Sequence, residues 1–261
     1  MLSFFRKRRR GRVLGPEARS RIGAILAGQL DAWRGLRAIE RDRLCDLSLV
    51  LIAEKRWEGC AGLELTEEMQ AVIAAQAALL LLGFDLDPLA APVYPNVRDI
   101  LVYPSGYFNT VKRRDALGIV HEGSPNLGEA WYGGPVIVSW EHAAHGARDG
   151  ADGRNLVLHE FAHKLDMLDG VVDGTPPLPG AAAYTTWRQV MNDAFERLRA
   201  ARPGASVLVL DRYGATSPAE FFAVATEAFF ERSCDLRERE PALYDTLAMY
   251  YRQDTASRAA S

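Results

Sequence analysis

The chain has 261 residues, 48% of them apolar, 25% charged and 9% aromatic, with a formal net charge of −3. This composition excludes a disordered, collagen-like or fibrous chain, and the length permits a sizeable buried core. The longest apolar stretch, 71–84, falls short of the roughly 20 residues that cross a bilayer, so no membrane insertion is expected.

In chain order, the first feature is a cluster of cations, Arg6, Lys7, Arg8, Arg9, Arg10 and Arg12, after only five residues. A secretory signal would place charge before a longer apolar run, so this order argues against export. The cluster is expected to be a basic flexible tail over 1–12. It is either simply solvated or able to touch acidic lipid, RNA or an acidic partner. The remainder is acidic, which argues against direct nucleic-acid binding as the main activity. Cys45, Cys60 and Cys234 form no C-x-x-C pair. Their odd number suits a reduced cytoplasmic location with the thiols as small buried hydrophobes.

Residues 16–58 show helical spacing, with Ile22, Ile25, Leu26, Leu30 and Trp33 on one stripe and Leu44, Leu47, Val50 and Leu51 on a second. Thr66 offers a hydroxyl cap to a helix with acids in its first turn, running through an Ala/Leu-rich segment to Gly83. Being apolar on nearly every side, that helix should lie deep in the core. From Asp85 the texture changes to proline, glycine and short β-rich runs. Residues 98–103 and 134–140 read as strands, with Pro135 tolerated at a strand's first position or on an edge. Helical patterning returns at Asn155, broken by a loop over 171–180. The expected fold is α+β, a helical part at 13–84 packed on a catalytic region at 85–261 that holds a small mixed sheet and the chemistry, the two forming one compact unit.

The chemistry centres on Asn155-Leu-Val-Leu-His159-Glu160-Phe-Ala-His163-Lys-Leu-Asp166, which contains H-E-x-x-H in a helix-compatible stretch. Residues four apart on a helix differ by only about 40° around its axis, so both imidazoles can bind one Zn²⁺ with Glu160 beside the water it carries. A catalytic zinc usually takes a third protein ligand. Asp169 would serve if a glycine turned the chain after the second histidine, but Asp166 stands there and leaves Asp169 roughly 120° away from His163. Asp166 shares the ligand face and suits either a hydrogen bond to an imidazole or a solvated helix end. Glu220 follows Ser217 and Pro218 in a capping-box pattern, yet opens a Phe-rich helix where a buried carboxylate would need a partner. Glu227, seven residues on, shares its face and could orient a ligand or Tyr213. His142 and His145 lie in a Gly/Asp-rich stretch read as a loop with surface histidines or weak metal binding. His121 reads as structural or exposed. Trp131, Tyr132 and Trp140 suit the core or a cleft lining.

The run at 159–170, with Tyr213 and Pro-Ala-Glu-Phe-Phe-Ala-Val at 218–224, resembles the Mlc titration factor A peptidases. Locally it is also similar to the protease domain of anthrax lethal factor. The resemblance implies a zincin-like metallopeptidase with His159, His163 and Glu220 as zinc ligands. It also implies Glu160 as general base and Tyr213 as stabiliser of the transition state. It further implies an aminopeptidase-like, cytoplasmic protein that acts on peptides and binds an Mlc-like glucose repressor. A purely binding role, sequestering a repressor around a structural metal, is the alternative. Structural zinc sites are more often cysteine-rich, and no cysteine is near the motif.

Overall fold

In the computed structural model, residues 10–11, 13–105, 113–114, 120–121, 134–201 and 209–259 are described, with side chains omitted for 113–114 and 120–121. The basic run at 6–9 and 12, the pair Trp131 and Tyr132, and the side chain of His121 lie outside them. Arg10 is no part of a solvated tail. It is buried, its guanidinium paired with Glu54 at 2.7 and 2.6 Å and bonded to the carbonyls of Pro88 and Ala91.

The helices α1 (Pro16–Gln29) and α2 (Ala38–Glu54) follow the two apolar stripes, burying Ile22 and Leu26 on one and Leu44, Leu47, Val50 and Leu51 on the other. The spacing read as helical to residue 58 stops earlier, because Arg56–Gly59 forms strand β1. Helix α3 (Glu67–Leu79) is capped by the Thr66 hydroxyl, which accepts from Met69 N at 3.2 Å. Every residue from Ala71 to Leu79 is buried. The helix ends before Gly83, where a Cβ would come within 2.2 Å of the Tyr251 carbonyl oxygen. That close approach admits only glycine.

Strand β2 (Asp99–Tyr103) precedes a short antiparallel pair, β3 (Arg113–Arg114) and β4 (Val120–His121). Strand β5 (Val136–Ser139) then joins the main sheet. The main sheet has order β1-β2-β5 and both of its pairings are parallel, with Trp57 opposite Ile100 and Ile100 opposite Val136. The sheet is therefore parallel rather than mixed, the antiparallel pair standing apart from it. Among the described strands, β5 lies on one edge.

Ser139 ends β5 and caps α4 (Trp140–Arg148), accepting from His142 N at 3.3 Å. His142 and His145 thus sit on a helix, not in a loop. Next come α5 (Leu156–Asp166), α6 (Ala181–Ala200), α7 (Pro218–Glu231), α8 (Ser233–Arg239), α9 (Pro241–Tyr251) and α10 (Thr255–Ala259). Helix α3 packs against both α4 and α5, and one hydrophobic core joins the early helices, the sheet and α7. The three cysteines are free, but only Cys45 is buried; Cys234 is exposed. No helix among the described residues is long and apolar enough to cross a membrane.

Candidate metal centre

Helix α5 begins where the Asn155 side chain accepts from Leu158 N at 3.0 Å, filling one of the open donors of the first turn. Its apolar residues, Val157, Leu158, Phe161, Ala162 and Leu165, are buried, which turns the histidine face toward α7. His159 and His163 stack edge to face with ring centroids 4.8 Å apart and Nε2 atoms 3.2 Å apart.

Helix α7 brings the carboxylate. Ser217 caps it, accepting from Glu220 N at 3.2 Å, but the Glu220 side chain does not complete a capping box. It turns to the imidazoles, with Oε2 at 3.0 Å from His159 Nε2 and 3.5 Å from His163 Nε2. Within the buried centre this attraction outweighs the modest gain of closing a cap. Glu227, two turns on, spans two groups of α5: Oε1 meets His159 Nδ1 at 2.8 Å and Oε2 accepts from Asn155 N at 2.6 Å.

The electrostatics are those of a site short of positive charge. Burial lowers the affinity of His159 for a proton, but contacts with Glu220 and Glu227 outweigh it and raise the pKa to about 10. Burial raises Glu220, yet the two histidines more than reverse this and bring it down to about 2. Burial pushes Glu160 up, partly offset by the charges of His159 and His163. It likewise raises Tyr213, helped by Glu220 and Glu160.

The three donors fit a cation. His159, His163 and Glu220 offer ligand atoms that all lie within 4.8 Å of one another. Glu220 Oε2 is buried and makes no aligned hydrogen bond, although His159 Nε2 is close by. Three ligand-type atoms converge on one buried point, where a metal ion could take the place of the proton that His159 now shares with Glu220. Two imidazoles and a carboxylate suit zinc.

The other acids fall elsewhere. Asp169 is exposed on the 3-10 turn after α5, and its carboxylate accepts from Val171 N at 3.0 Å. Asp166 is neither solvated nor bonded to an imidazole. It is fully buried and accepts from Gly174 N at 3.0 Å, and burial lifts its pKa to about 6. Gly174 has φ +79°, and a Cβ there would meet the Pro218 carbonyl oxygen at 2.3 Å. Asp166 thus pins the 171–180 loop beneath the start of α7, bracing the two ligand-bearing helices.

Tyr213 sits on a 3-10 turn held by Asp211, half-exposed, with its ring 6.0 Å from that of His159. Lys164, which the sequence reading passed over, is buried and donates to the Gly134 carbonyl at 3.1 Å, tying α5 to the entrance of β5. His145 groups with Asp149 and Asp152 on the exposed surface, away from this centre.

Residues 5–252 match the family model described as glucose-regulated metallo-peptidase M90. The chain belongs to the M90 family. An M90 protein carries a metal by that description, in keeping with the histidine–glutamate centre above. The Synechocystis protein named "Uncharacterized protein slr2042" is 35% identical over 230 residues, 87% of this chain and 82% of its own. "Mlc titration factor A" of Yersinia pestis and of Yersinia pseudotuberculosis are each 34% identical over 225 residues, 84% of this chain and 80% of theirs.

Proposed function

We propose that this M90 protein is a zinc-dependent, aminopeptidase-like peptidase of the cytoplasm with His159, His163 and Glu220 as zinc ligands. The convergence of their three donor atoms from two helices is the observation that carries this reading. Zinc, when bound, acidifies a water molecule and polarises the scissile carbonyl. Glu160, one residue after the first ligand and raised in pKa by burial, takes the proton from the attacking water. It then delivers that proton to the departing amine as the C–N bond breaks. The Tyr213 hydroxyl, half-exposed beside His159, donates to the oxyanion that forms on the substrate. Strand β5, at the sheet edge and next to α5, offers backbone groups to an extended peptide.

The deciding experiment measures metal content of the purified protein together with turnover of amino-acid nitroanilides and unstructured peptides. One zinc per chain with chelator-sensitive hydrolysis is expected. A metal-loaded protein that cleaves neither substrate class would leave the binding role as the better account. That second reading is favoured by the name of the Yersinia relatives, and takes the partner to be an Mlc-like repressor. The two roles are compatible in one chain.

A further inference from the structure

A cavity of about 450 Å³ lies between the 30–36 segment, α3, α4, the first turn of α5 and the ends of α7 and α10. That volume is within the roughly 300–1,000 Å³ range of small-molecule sites. None of His159, Glu160, His163 or Glu220 lines it. Its apolar wall comes from Leu30, Leu36, Leu79 and Leu158.

The charged groups on the lining are unequal. Arg34 is paired with Asp31 at 3.0 Å, and Arg258 with Glu40 at 2.6 Å and with Gln253 at 2.8 Å. Glu231 has no such partner. Its Oε1 accepts from Asn155 Nδ2 at 2.9 Å, while Oε2 is buried with no hydrogen bond. An unsatisfied buried carboxylate oxygen is costly, and a donor that fills it recovers the cost. Burial, with the Asp152 and Glu227 carboxylates nearby, pushes the Glu231 pKa up to about 8. The wall is therefore apolar around one carboxyl group that lacks a counter-charge, and burial without that counter-charge keeps it protonated.

We propose that this cavity is a second ligand site, taking a primary ammonium group carried on an apolar body, with Glu231 as its charge partner. The leucines hold the body, and the Glu231 carboxyl on the lining gives up its proton and pairs with the ammonium. An anionic guest of the same shape gains no ion pair with Glu231, and the two lining arginines are already paired with Asp31 and Glu40. The site is separate from the metal centre, though its wall shares Asn155, whose backbone N–H bonds to Glu227.

The test uses phenethylammonium as probe and 3-phenylpropionate as its anionic counterpart, with binding followed by saturation-transfer NMR and titration calorimetry on the full chain. Zinc-loaded and chelator-treated protein are compared, to separate cavity binding from amine coordination to the metal. Ala32→Trp plugs the cavity from its exposed rim, and Glu231→Gln removes the ionisable carboxyl while keeping the shape. The ammonium probe should bind both metal states at one site, and each variant should weaken it about tenfold or more. The carboxylate should fail to bind. Absence of ammonium binding, binding that survives Ala32→Trp, equal binding of the carboxylate, or binding lost with the metal would each overturn the proposal.

Discussion

Glu227 Oε1 lies 2.8 Å from His159 Nδ1, and its other oxygen holds the backbone N–H of Asn155 at the start of the same helix. One carboxylate therefore sets both the rotation of the imidazole and the position of the helix carrying it. With Nδ1–H given to Glu227, Nε2 faces Glu220 and His163, so this is the nitrogen that would exchange its proton for a metal ion.

Glu227→Ala should weaken zinc binding by about 10–100-fold while the fold is kept, the usual size of loss for a group that orients a ligating histidine. Competition with a chromophoric chelator measures it. Unchanged affinity in a folded variant would mean the imidazole is held by packing alone.

His163→Ala should abolish stoichiometric zinc, and elemental analysis reads this directly. Glu220→Ala should lower zinc affinity and lose thermal stability chiefly in the zinc-loaded protein, because binding energy adds to folding energy. Were Glu220 merely a helix-capping residue, its loss would cost about 1 kcal/mol with or without zinc. Asp169→Ala should leave affinity nearly untouched, as befits an exposed side chain bonded to Val171. Unfolding scans with zinc and with chelator separate the cases, and a zinc-dependent loss at Asp169 alone would reverse the assignment.

Glu160→Gln should keep its zinc and lose about 10²–10⁴-fold in peptide turnover, since an amide cannot accept the proton of water. Full activity in the zinc-loaded variant would sink the hydrolytic mechanism.

Burial raises Glu231 from about 4.5 to about 8. Across that interval the folded chain keeps the proton that the unfolded chain has released, so stability falls as pH rises through it. Glu231→Gln removes the linkage. Its Tm relative to wild type should climb between about pH 5 and 8, by roughly 2–4 °C for each kcal/mol of linkage. Parallel Tm profiles for the two proteins would show that Glu231 is ionised in the folded state throughout.

Much of this could be read from local chemistry. The caps at Thr66 and Ser217, the stripe around Ile22 and Leu26, and the pairing of His159 with His163 depend on residues a few positions apart, where helical geometry speaks for itself. Glu220 and Glu227 were legible as one face of one apolar helix. Strand β1 was not. Arg-Trp-Glu-Gly has no apolar run, and its partner β2 lies some forty residues downstream. Helix α4 was hidden by the glycine and aspartates around it, although Ser139 stood ready as its cap. The bracing role of Asp166 was unreadable because it depends on Gly174 passing under Pro218, a long-range contact with no local mark.

The division of the proposed ligands between α5 and α7 also orders events during synthesis. A ribosome delivers both imidazoles well before it delivers Glu220, with α6 made in between. A nascent chain at that stage has two nitrogen donors and nothing to complete the set. The carboxylate arrives only once α7 can dock against α5, so firm metal capture waits for that docking. A loaded centre then reports that synthesis has passed α7, and a chain truncated before α7 would compete poorly for scarce zinc.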